Sequence, residues 1–201
     1  NSRGSIQQLE RLRCYQSVMS FSTAVLFGAK LDGEGYDYVG IGPDEDSFIL
    51  GISPLSTIDA CLRFSKNCAY CQFHADATFK VNDTGYPVIT CGFTDKARAY
   101  QVGAFFVVSR RTVHEYTECF RGFVGFVLDH RGATPQVSVV MGDAEDPQYS
   151  AFGSLPTFSG AKMLMCFFHV LKNMRKGVQH LPIKDRMQVM TSIVEMLHGS
   201  V

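Results

Sequence analysis

The sequence lacks the features that mark membrane-spanning or secreted proteins. No hydrophobic run approaches the roughly 18 residues of a transmembrane helix, and the polar stretch from Asn1 to Arg13 is not typical of a secretory signal peptide. The composition is ordinary for a globular protein: 46% of the 201 residues are hydrophobic, 19% are charged and none is tryptophan. This length allows one sizeable core, or one domain with an appendage. Because the chain does not begin with Met, we expect it to be a piece of a longer protein.

The sequence also has no excess of either charge. Its formal net charge is +0 at pH 7, which argues against tight nucleic-acid binding through total charge. The distribution is uneven, however, because six Lys or Arg residues lie between 162 and 186, against Asp185 alone. Such a local basic stretch can follow a phosphate backbone, and a solvated helix face explains it equally well.

Several functional classes lack their sequence signals. The seven cysteines are odd in number and scattered, which indicates a reducing, intracellular protein rather than a disulfide framework. No Cys and His arrangement indicates a nucleophilic enzyme. Gly33-x-Gly35 and Gly40-x-Gly42 lack the rest of a phosphate-binding glycine loop.

What the sequence does contain is three short motifs. They are His74-Ala75-Asp76-Ala77-Thr78-Phe79-Lys80, Val140-Met141-Gly142-Asp143-Ala144 and Cys166-Phe167-Phe168-His169. The first two place a carboxylate inside or at the end of an apolar, strand-like run. Charged side chains are rarely buried without a partner, so Asp76 and Asp143 need an explanation. A divalent metal held between two strands provides one, and it indicates phosphoryl transfer on nucleic acid.

Periodicity and turn signals predict a mixed α/β core that begins near Tyr70. Strands are predicted over 72–81, 86–93, 100–109, 135–141 and 162–168, with helices over 112–130, 146–152 and 169–176. Upstream, we expect a helical or mixed lead-in over 5–27, an acidic loop over 31–46, a strand over 47–53 and a helix over 54–66. An amphipathic helix is predicted over 182–198. Phenylalanines at strand or helix spacing are predicted to be core rather than base-stacking residues: Phe105, Phe106, Phe120, Phe123 and Phe126.

The order β-β-β-α-β-α-β-α is that of a ribonuclease H-like fold. In this α/β class, three antiparallel strands are followed by parallel strands in a mixed sheet with flanking helices. The fourth core strand crosses over a helix and pairs beside the first. Asp76 on the first strand and Asp143 at the end of the fourth are therefore expected to be neighbours, and to form half of a metal site.

On these residues, the chain resembles the transposases of Mutator-like elements, which belong to the DDE superfamily. The resemblance runs from about Phe73 to Lys176 and includes the Asp-Ala-Thr-Phe-Lys strand, the Gly-Asp-Ala block and the Cys-x-x-His motif that leads into Leu171-Lys172-Asn173. It implies an enzyme that cleaves DNA and transfers strands in the nucleus. It also implies that the enzyme binds transposon ends and target DNA and works as a multimer.

The resemblance further implies a role for each motif. Two Mg²⁺ or Mn²⁺ ions would be bound, with Asp76 shared by both and Asp143 a ligand of one. Cys166 and His169 would lie beside the active site, with a structural role or a role in positioning DNA. Candidate contacts for DNA phosphates are Lys80, Lys172, Arg175 and Lys176. For any single one of these, an ordinary surface side chain is the simpler interpretation.

The family mechanism needs a third acid, usually Glu, on a late helix after a helical insertion. The acids after His169 are Asp185 and Glu195, and Glu195 flanks the apolar stripe of the helix predicted over 182–198. We therefore expect no third acid here. The predicted domains are a lead-in over 1–69, a transposase core over 70–178 and the start of the insertion over 179–201.

The two aspartates have alternative interpretations. Asp76 can be a strand-end residue bonded to backbone. Asp143 can cap a helix, a role for which Asp146 is the better candidate because it directly precedes Pro147.

Zinc is not expected, because Cys166 and His169 are only two of the four ligands that a structural zinc needs. Cys68-x-x-Cys71-x-x-His74 can supply more, but with awkward side-chain directions. Two alternative functions also stay open. One is a transposase-derived DNA-binding or regulatory protein without catalysis, and the other is an unrelated ribonuclease H-like nuclease acting on RNA or hybrids.

Overall fold

The computed structural model describes residues 24–28, 30–35, 37–42, 45–67, 71–78, 85–94, 99–143 and 145–198. The strands among them are β1 (Ala24–Gly28), β2 (Lys30–Leu31), β3 (Asp37–Tyr38), β4 (Ile49–Pro54), β5 (Gln72–Thr78), β6 (Val88–Thr94), β7 (Tyr100–Val108), β8 (Val139–Gly142) and β9 (Lys162–Met165). The helices are α1 (Leu55–Asn67), α2 (Val113–Arg131), α3 (Asp146–Ser154), α4 (Pro156–Ser159), α5 (Phe167–Gly177) and α6 (Ile183–His198). None of the helices described combines the length and the apolar character needed to cross a membrane.

Seven of these strands form one mixed sheet in the order β1-β4-β7-β6-β5-β8-β9. Pairing is antiparallel from β1 through β5, and β8 lies parallel to β5. Strands β2 and β3 form a separate two-stranded sheet. Three antiparallel strands, β7, β6 and β5, are thus followed by β8 in parallel. The prediction of a ribonuclease H-like α/β fold is confirmed.

Helix α2 makes the crossover that brings β8 beside β5, and both of its ends are set by local sequence. At the N-terminus, the Thr112 Oγ1 accepts a hydrogen bond from the His114 N–H at 3.2 Å, and the Glu115 carboxylate accepts one from the Thr112 N–H at 3.0 Å. At the C-terminus, Gly132 adopts a left-handed conformation with φ of 62°, which a side chain would disfavour. The predicted end of this helix at Gly132 is confirmed.

The fourth core strand is shorter than predicted. It begins at Val139 rather than at Pro135, because proline has no N–H for a strand ladder. Pairing starts where the N–H groups of Ser138 and Val139 both reach the Cys71 carbonyl, each at 3.0 Å. The strand nevertheless still ends directly before Asp143.

Aromatic packing attaches β5 to the helices. The Phe73 ring centroid lies 5.9 Å from that of Phe120 on α2, 6.1 Å from Phe152 on α3 and 4.8 Å from Phe158 on α4. Phe120 and Phe152 are stacked on each other at 4.6 Å. Burial of each such ring contributes on the order of 2 kcal/mol relative to leaving it exposed. The strand that carries Asp76 is therefore held by a rigid core.

The phenylalanine prediction is correct for four of the five residues and wrong for one. Phe106, Phe120, Phe123 and Phe126 are buried, whereas Phe105 is 42% exposed. Successive strand residues face opposite sides of a sheet, so Phe105 and its neighbour Phe106 on β7 cannot both point into this core.

The described residues fall into two compact units: a first unit up to Leu164 and a second unit from Met165 onward. In the first unit, β4 pairs with β7 and β1 pairs with β4, so the sheet includes residues upstream of 70. The predicted domain division at 69/70 and 178/179 stays a prediction. The part of the predicted lead-in over 5–23 lies outside the described residues.

Candidate metal centre

Strand β5 alternates between the two faces of the sheet. Phe73 and Ala75 are buried on the side that packs against α2, α3 and α4, whereas Asp76 is exposed. The period of two places His74 and Asp76 on the opposite side. We name these two sides the helix face and the acid face.

The register of the parallel pair β5–β8 sets the position of the second carboxylate. His74 lies opposite Met141 in the last pair of the ladder. Asp76 and Asp143 each lie two residues beyond that pair, at the carboxyl ends of adjacent strands. Alternation therefore directs both side chains to the acid face.

The two carboxylates are close in space. One carboxylate oxygen of each lies within 4.8 Å of the other. Asp143 is 6% exposed and Asp76 is open to solvent, so the pair has one sheltered and one accessible member. The structure thus brings Asp76 and Asp143 together, as we predicted from their positions on neighbouring strands. That they hold a metal ion stays a prediction.

One buried side chain of α3 contacts both strands directly before the acids. Gln148 is fully buried, and its Nε2 donates a hydrogen bond to the Ala75 carbonyl at 3.1 Å. A Cβ at Gly142 would lie 1.7 Å from the Gln148 Oε1, so a larger residue there would displace the amide. Ala75 and Gly142 are the residues that precede Asp76 and Asp143.

An ion pair follows Asp143 in the chain. The Arg111 Nη1 donates to both carboxylate oxygens of Glu145, at 2.9 and 2.8 Å. The Tyr116 hydroxyl lies 3.5 Å from the Glu145 Oε2. Burial raises the pKa of Tyr116, and the negative charges of Asp143 and Glu145 raise it further. Tyr116 therefore remains a neutral hydroxyl group beside the acids.

The acid face also carries a neutral histidine. The His74 Nε2 and the Thr94 Oγ1 form a hydrogen bond between β5 and β6, and the Tyr100 ring centroid lies 5.5 Å from that of His74. Burial lowers the pKa of His74, so its ring is uncharged at neutral pH. It therefore adds no positive charge on the side where Asp76 lies.

The N-cap position of helix α3 bears on the alternative interpretation of Asp143 as a capping residue. Helix α3 begins at Asp146, with Glu145 as the residue at its N-cap and no side-chain hydrogen bond there. Asp143 lies two residues before this N-cap position. Asp146, the other candidate, is exposed in the first turn of α3.

The remaining predicted site residues either belong to the second unit or lie outside the described residues. Cys166 precedes α5 and His169 lies in its first turn; both are half-buried residues of the second unit. The exposed basic side chains of that helix are Lys172, Arg175 and Lys176. Lys80 lies outside the described residues. Their contacts with DNA stay predictions.

The zinc alternative has no cluster in the part of the chain that the structure describes. There, no cysteine belongs to a group of three or more His, Cys, Asp or Glu ligand atoms close enough to share an ion. Cys71 is a buried thiol, and Cys68 lies outside the described residues. The expectation that zinc is absent stays a prediction.

A sequence model of the MULE transposase domain matches residues 72–173, just over half of the chain. This chain belongs to that family. The matched MULE transposase domain runs from the start of β5 into α5 and includes both aspartates, Gln148 and the Cys-x-x-His motif. No curated protein matches the chain. Family membership indicates a transposase-type function, with DNA as the partner and a divalent metal as the class of cofactor.

Sequence reasoning missed two contacts of this MULE domain. A signal for Gln148 was available, because Gln148, Ala151 and Phe152 repeat at i, i+3 and i+4 on the buried side of α3. The pair between Arg111 and Glu145 joins residues 34 positions apart and leaves no local signal.

Proposed function

We propose that this chain is part of the catalytic core of a DDE-type transposase, an enzyme that cleaves DNA strands and joins them to target DNA with divalent metal ions and whose third acid these residues do not supply. The observation that supports the proposal is the pairing of Asp76 and Asp143 at the carboxyl ends of adjacent parallel strands, inside the region that matches the MULE domain.

The residues of the pair fit a hard divalent cation. Carboxylate oxygens are the ligands that Mg²⁺ and Mn²⁺ prefer. Two negative charges with oxygens within 4.8 Å of one another repel, and a cation between them offsets that repulsion. Asp76 would be shared by two ions and Asp143 would hold one of them. When bound, the ions would activate the attacking oxygen and stabilise the leaving oxygen of a phosphodiester.

The protein's own contribution is to hold the ligands and to leave one side accessible. The β5–β8 ladder fixes both strand ends, and Asp143 is sheltered while Asp76 faces solvent. A DNA phosphate therefore approaches the pair from the acid face. Because His74 on that face is neutral, it does not compete with a metal for the carboxylates.

Metal binding is the first test of the proposal. Asp76→Asn and Asp143→Asn each remove one ligand charge while preserving shape. We expect wild-type protein to bind Mn²⁺ in isothermal titration calorimetry and both variants to lose detectable binding. The matched control is Asp129→Asn on the exposed side of α2, which should bind as the wild type does. Unchanged binding in both site variants would contradict the paired-carboxylate site.

Cleavage of DNA tests the reaction itself. In a form of the protein that also supplies the third acid, we expect nicking of supercoiled DNA with Mn²⁺ present, and no nicking by either site variant of that form. A panel of DNA, RNA and hybrid substrates separates this proposal from a ribonuclease H-like nuclease. Cleavage confined to RNA or hybrids would contradict a transposase.

The second candidate is a transposase-derived protein that binds DNA without cutting it. The observation in its favour is that the acids after His169, Asp185 and Glu195, are both exposed on α6. Under this alternative, DNA binding is retained and no cleavage occurs even when Mn²⁺ is bound.

Family membership also leads us to propose a nuclear protein that acts as a multimer on DNA. Fluorescence of a tagged chain in cells checks the location, and light scattering with and without DNA checks the multimer. A cytosolic distribution or a monomer on DNA would contradict these two proposals separately.

A further inference from the structure

Gln148 lies between the two strands that carry the acids. The backbone ladder of β5 and β8 ends at His74 and Met141. The next carbonyl along β5, that of Ala75, accepts a hydrogen bond from the Gln148 Nε2 at 3.1 Å. On the β8 side, the same amide packs against Gly142, where an added Cβ would lie 1.7 Å from Oε1. The side chain thus extends the connection between the strands beyond the last backbone pair.

The Gln148 amide is half satisfied among the described residues: its Nε2 donates to the Ala75 carbonyl and its Oε1 has no partner. Gln148 is fully buried, and its Oε1 has no hydrogen-bond partner among the described residues. A buried polar atom without a partner costs stability, whereas a methionine of similar length carries no such oxygen. What the amide adds that an apolar side chain cannot is the hydrogen bond to the Ala75 carbonyl. This indicates that the amide has a use other than filling the core.

We infer that Gln148 is a positioning residue, which holds the ends of β5 and β8 together from the helix face so that Asp76 and Asp143 keep their separation on the acid face. The inference rests on the proposed function, because the separation matters only if the pair binds metal. Gln148 contacts the residues before the acids, Ala75 and Gly142, and acts through them. Removing groups that orient metal ligands typically weakens metal binding about 10- to 100-fold.

The test is Gln148→Met, which keeps the volume and removes the hydrogen bond to Ala75. In calorimetry on the full chain, we expect at least about a tenfold weaker Mn²⁺ dissociation constant. In metal-free protein, we also expect faster hydrogen–deuterium exchange confined to residues 139–143. This second measurement reports on the strand ends without any metal.

The matched control is Ser53→Ala. The Ser53 Oγ is also buried and donates to a backbone carbonyl, that of Gly103, at 2.6 Å. It lies on β4, which β7 and β6 separate from β5. We expect its loss to leave the Mn²⁺ dissociation constant within about twofold, because it does not contact the acid-bearing strands. An equal loss of affinity in this control would mean general destabilisation and would overturn the inference.

Gly142→Ala tests the same contact from the other strand and keeps the test open if Gln148→Met does not fold. Its added methyl group displaces the amide, so the same loss of affinity is expected. In the double variant, the two effects should be less than additive, since both remove one contact.

The outcomes separate this inference from the proposed function. If Asp76→Asn abolishes Mn²⁺ binding while Gln148→Met and Gly142→Ala bind normally, the positioning role is overturned and the metal site stands. If the wild type binds no Mn²⁺, the proposed metal site fails and the positioning role for it fails with it. Unchanged hydrogen exchange at 139–143 in Gln148→Met overturns the inference in either case.

Discussion

The chain places carboxylates in two contrasting surroundings. Glu115 is fully buried and accepts hydrogen bonds from the Ser47 Oγ at 2.5 Å and the Thr112 N–H at 3.0 Å, with the Arg110 Nη2 at 3.3 Å. We name these four residues the cap cluster. Asp76 and Asp143, in contrast, place two negative groups within 4.8 Å of each other. One site gathers donors around one acid, and the other gathers two acids.

The surroundings of Glu115 favour stability of the fold, whereas those of Asp76 and Asp143 favour binding of a ligand. Burial alone would raise the pKa of Glu115, but hydrogen bonds from Ser47 and Thr112 outweigh it and hold that pKa at about 2. A carboxylate that prefers its folded surroundings in this way stabilises the fold. Under the proposed function, a cation joins the two adjacent carboxylates and offsets their repulsion, so their arrangement serves binding rather than stability. The predictions that follow test this contrast.

The largest effect is expected from Glu115→Ala. The substitution leaves the buried hydroxyl of Ser47, the hydroxyl of Thr112 and the charge of Arg110 without their shared acceptor. We expect a loss of about 3–5 kcal/mol in the free energy of unfolding, measured with urea. Glu118→Ala, which breaks only the surface pair with Arg121 on the same helix, should cost about 1 kcal/mol or less. Equal losses of unfolding free energy in the two variants would mean that Glu115 contributes no more to stability than Glu118 does.

Lowering the pH should reversibly remove the stabilisation that the Glu115 carboxylate provides. The folded pKa of Glu115 lies below its ordinary value of 4.5, so its stabilisation is complete above pH 4.5 and is lost as the pH falls toward 2. The amount is on the order of 3 kcal/mol. Urea unfolding at pH 5, 4, 3 and 2 checks this, with Glu115→Gln as the reference. A variant whose stability falls as steeply as that of the wild type would contradict the assignment.

Cations should act on the acid pair alone. Mn²⁺ at about 100 times its dissociation constant is expected to raise the free energy of unfolding by about 2.7 kcal/mol. The rise should appear in the wild type and in Glu115→Gln, and be absent from Asp143→Asn. Thermal unfolding with and without Mn²⁺ measures it. A similar rise in Asp143→Asn would place the ion elsewhere.

The smallest effect is expected from Asp143→Asn without metal. Removing one of two neighbouring negative charges relieves their repulsion, so stability should rise slightly or stay within about 1 kcal/mol. Urea unfolding in the presence of a chelator tests this. A large loss would mean that Asp143 supports the fold as Glu115 does.

Sequence reasoning predicted the features that follow from periodicity and caps. The alternation around Asp76, the turn signals between the core strands and the helical periodicity over 112–130 are local signals, and together they predicted the order of the core elements. From that order, the neighbourhood of Asp76 and Asp143 followed as a property of the fold. The family match then agreed with the resemblance carried by the same motifs.

What sequence reasoning missed depends on contacts between distant elements. The role of Gln148 requires knowing which carbonyl lies within reach of α3. The addition of β1 and β4 to the sheet depends on pairing across the chain, for example Ile49 with Val108. The exposure of Phe105 follows from which side of β7 the helices cover. A local pattern, such as the i, i+3 and i+4 repeat at Gln148, shows that a residue is buried but not which element lies beside it.

The parallel register between β5 and β8 has a consequence for how this chain can diverge. Strand pairing, and not the length of chain between them, sets the distance between the two acids. The segment from Gly132 to Val137 leads into β8 before the pairing of that strand begins. A change in the length of this segment does not by itself change the separation of the acids, whereas a one-residue slip of β8 would turn Asp143 to the helix face. The separation of Asp76 and Asp143 therefore depends on the alignment of β5 and β8, and not on the number of residues between the two acids.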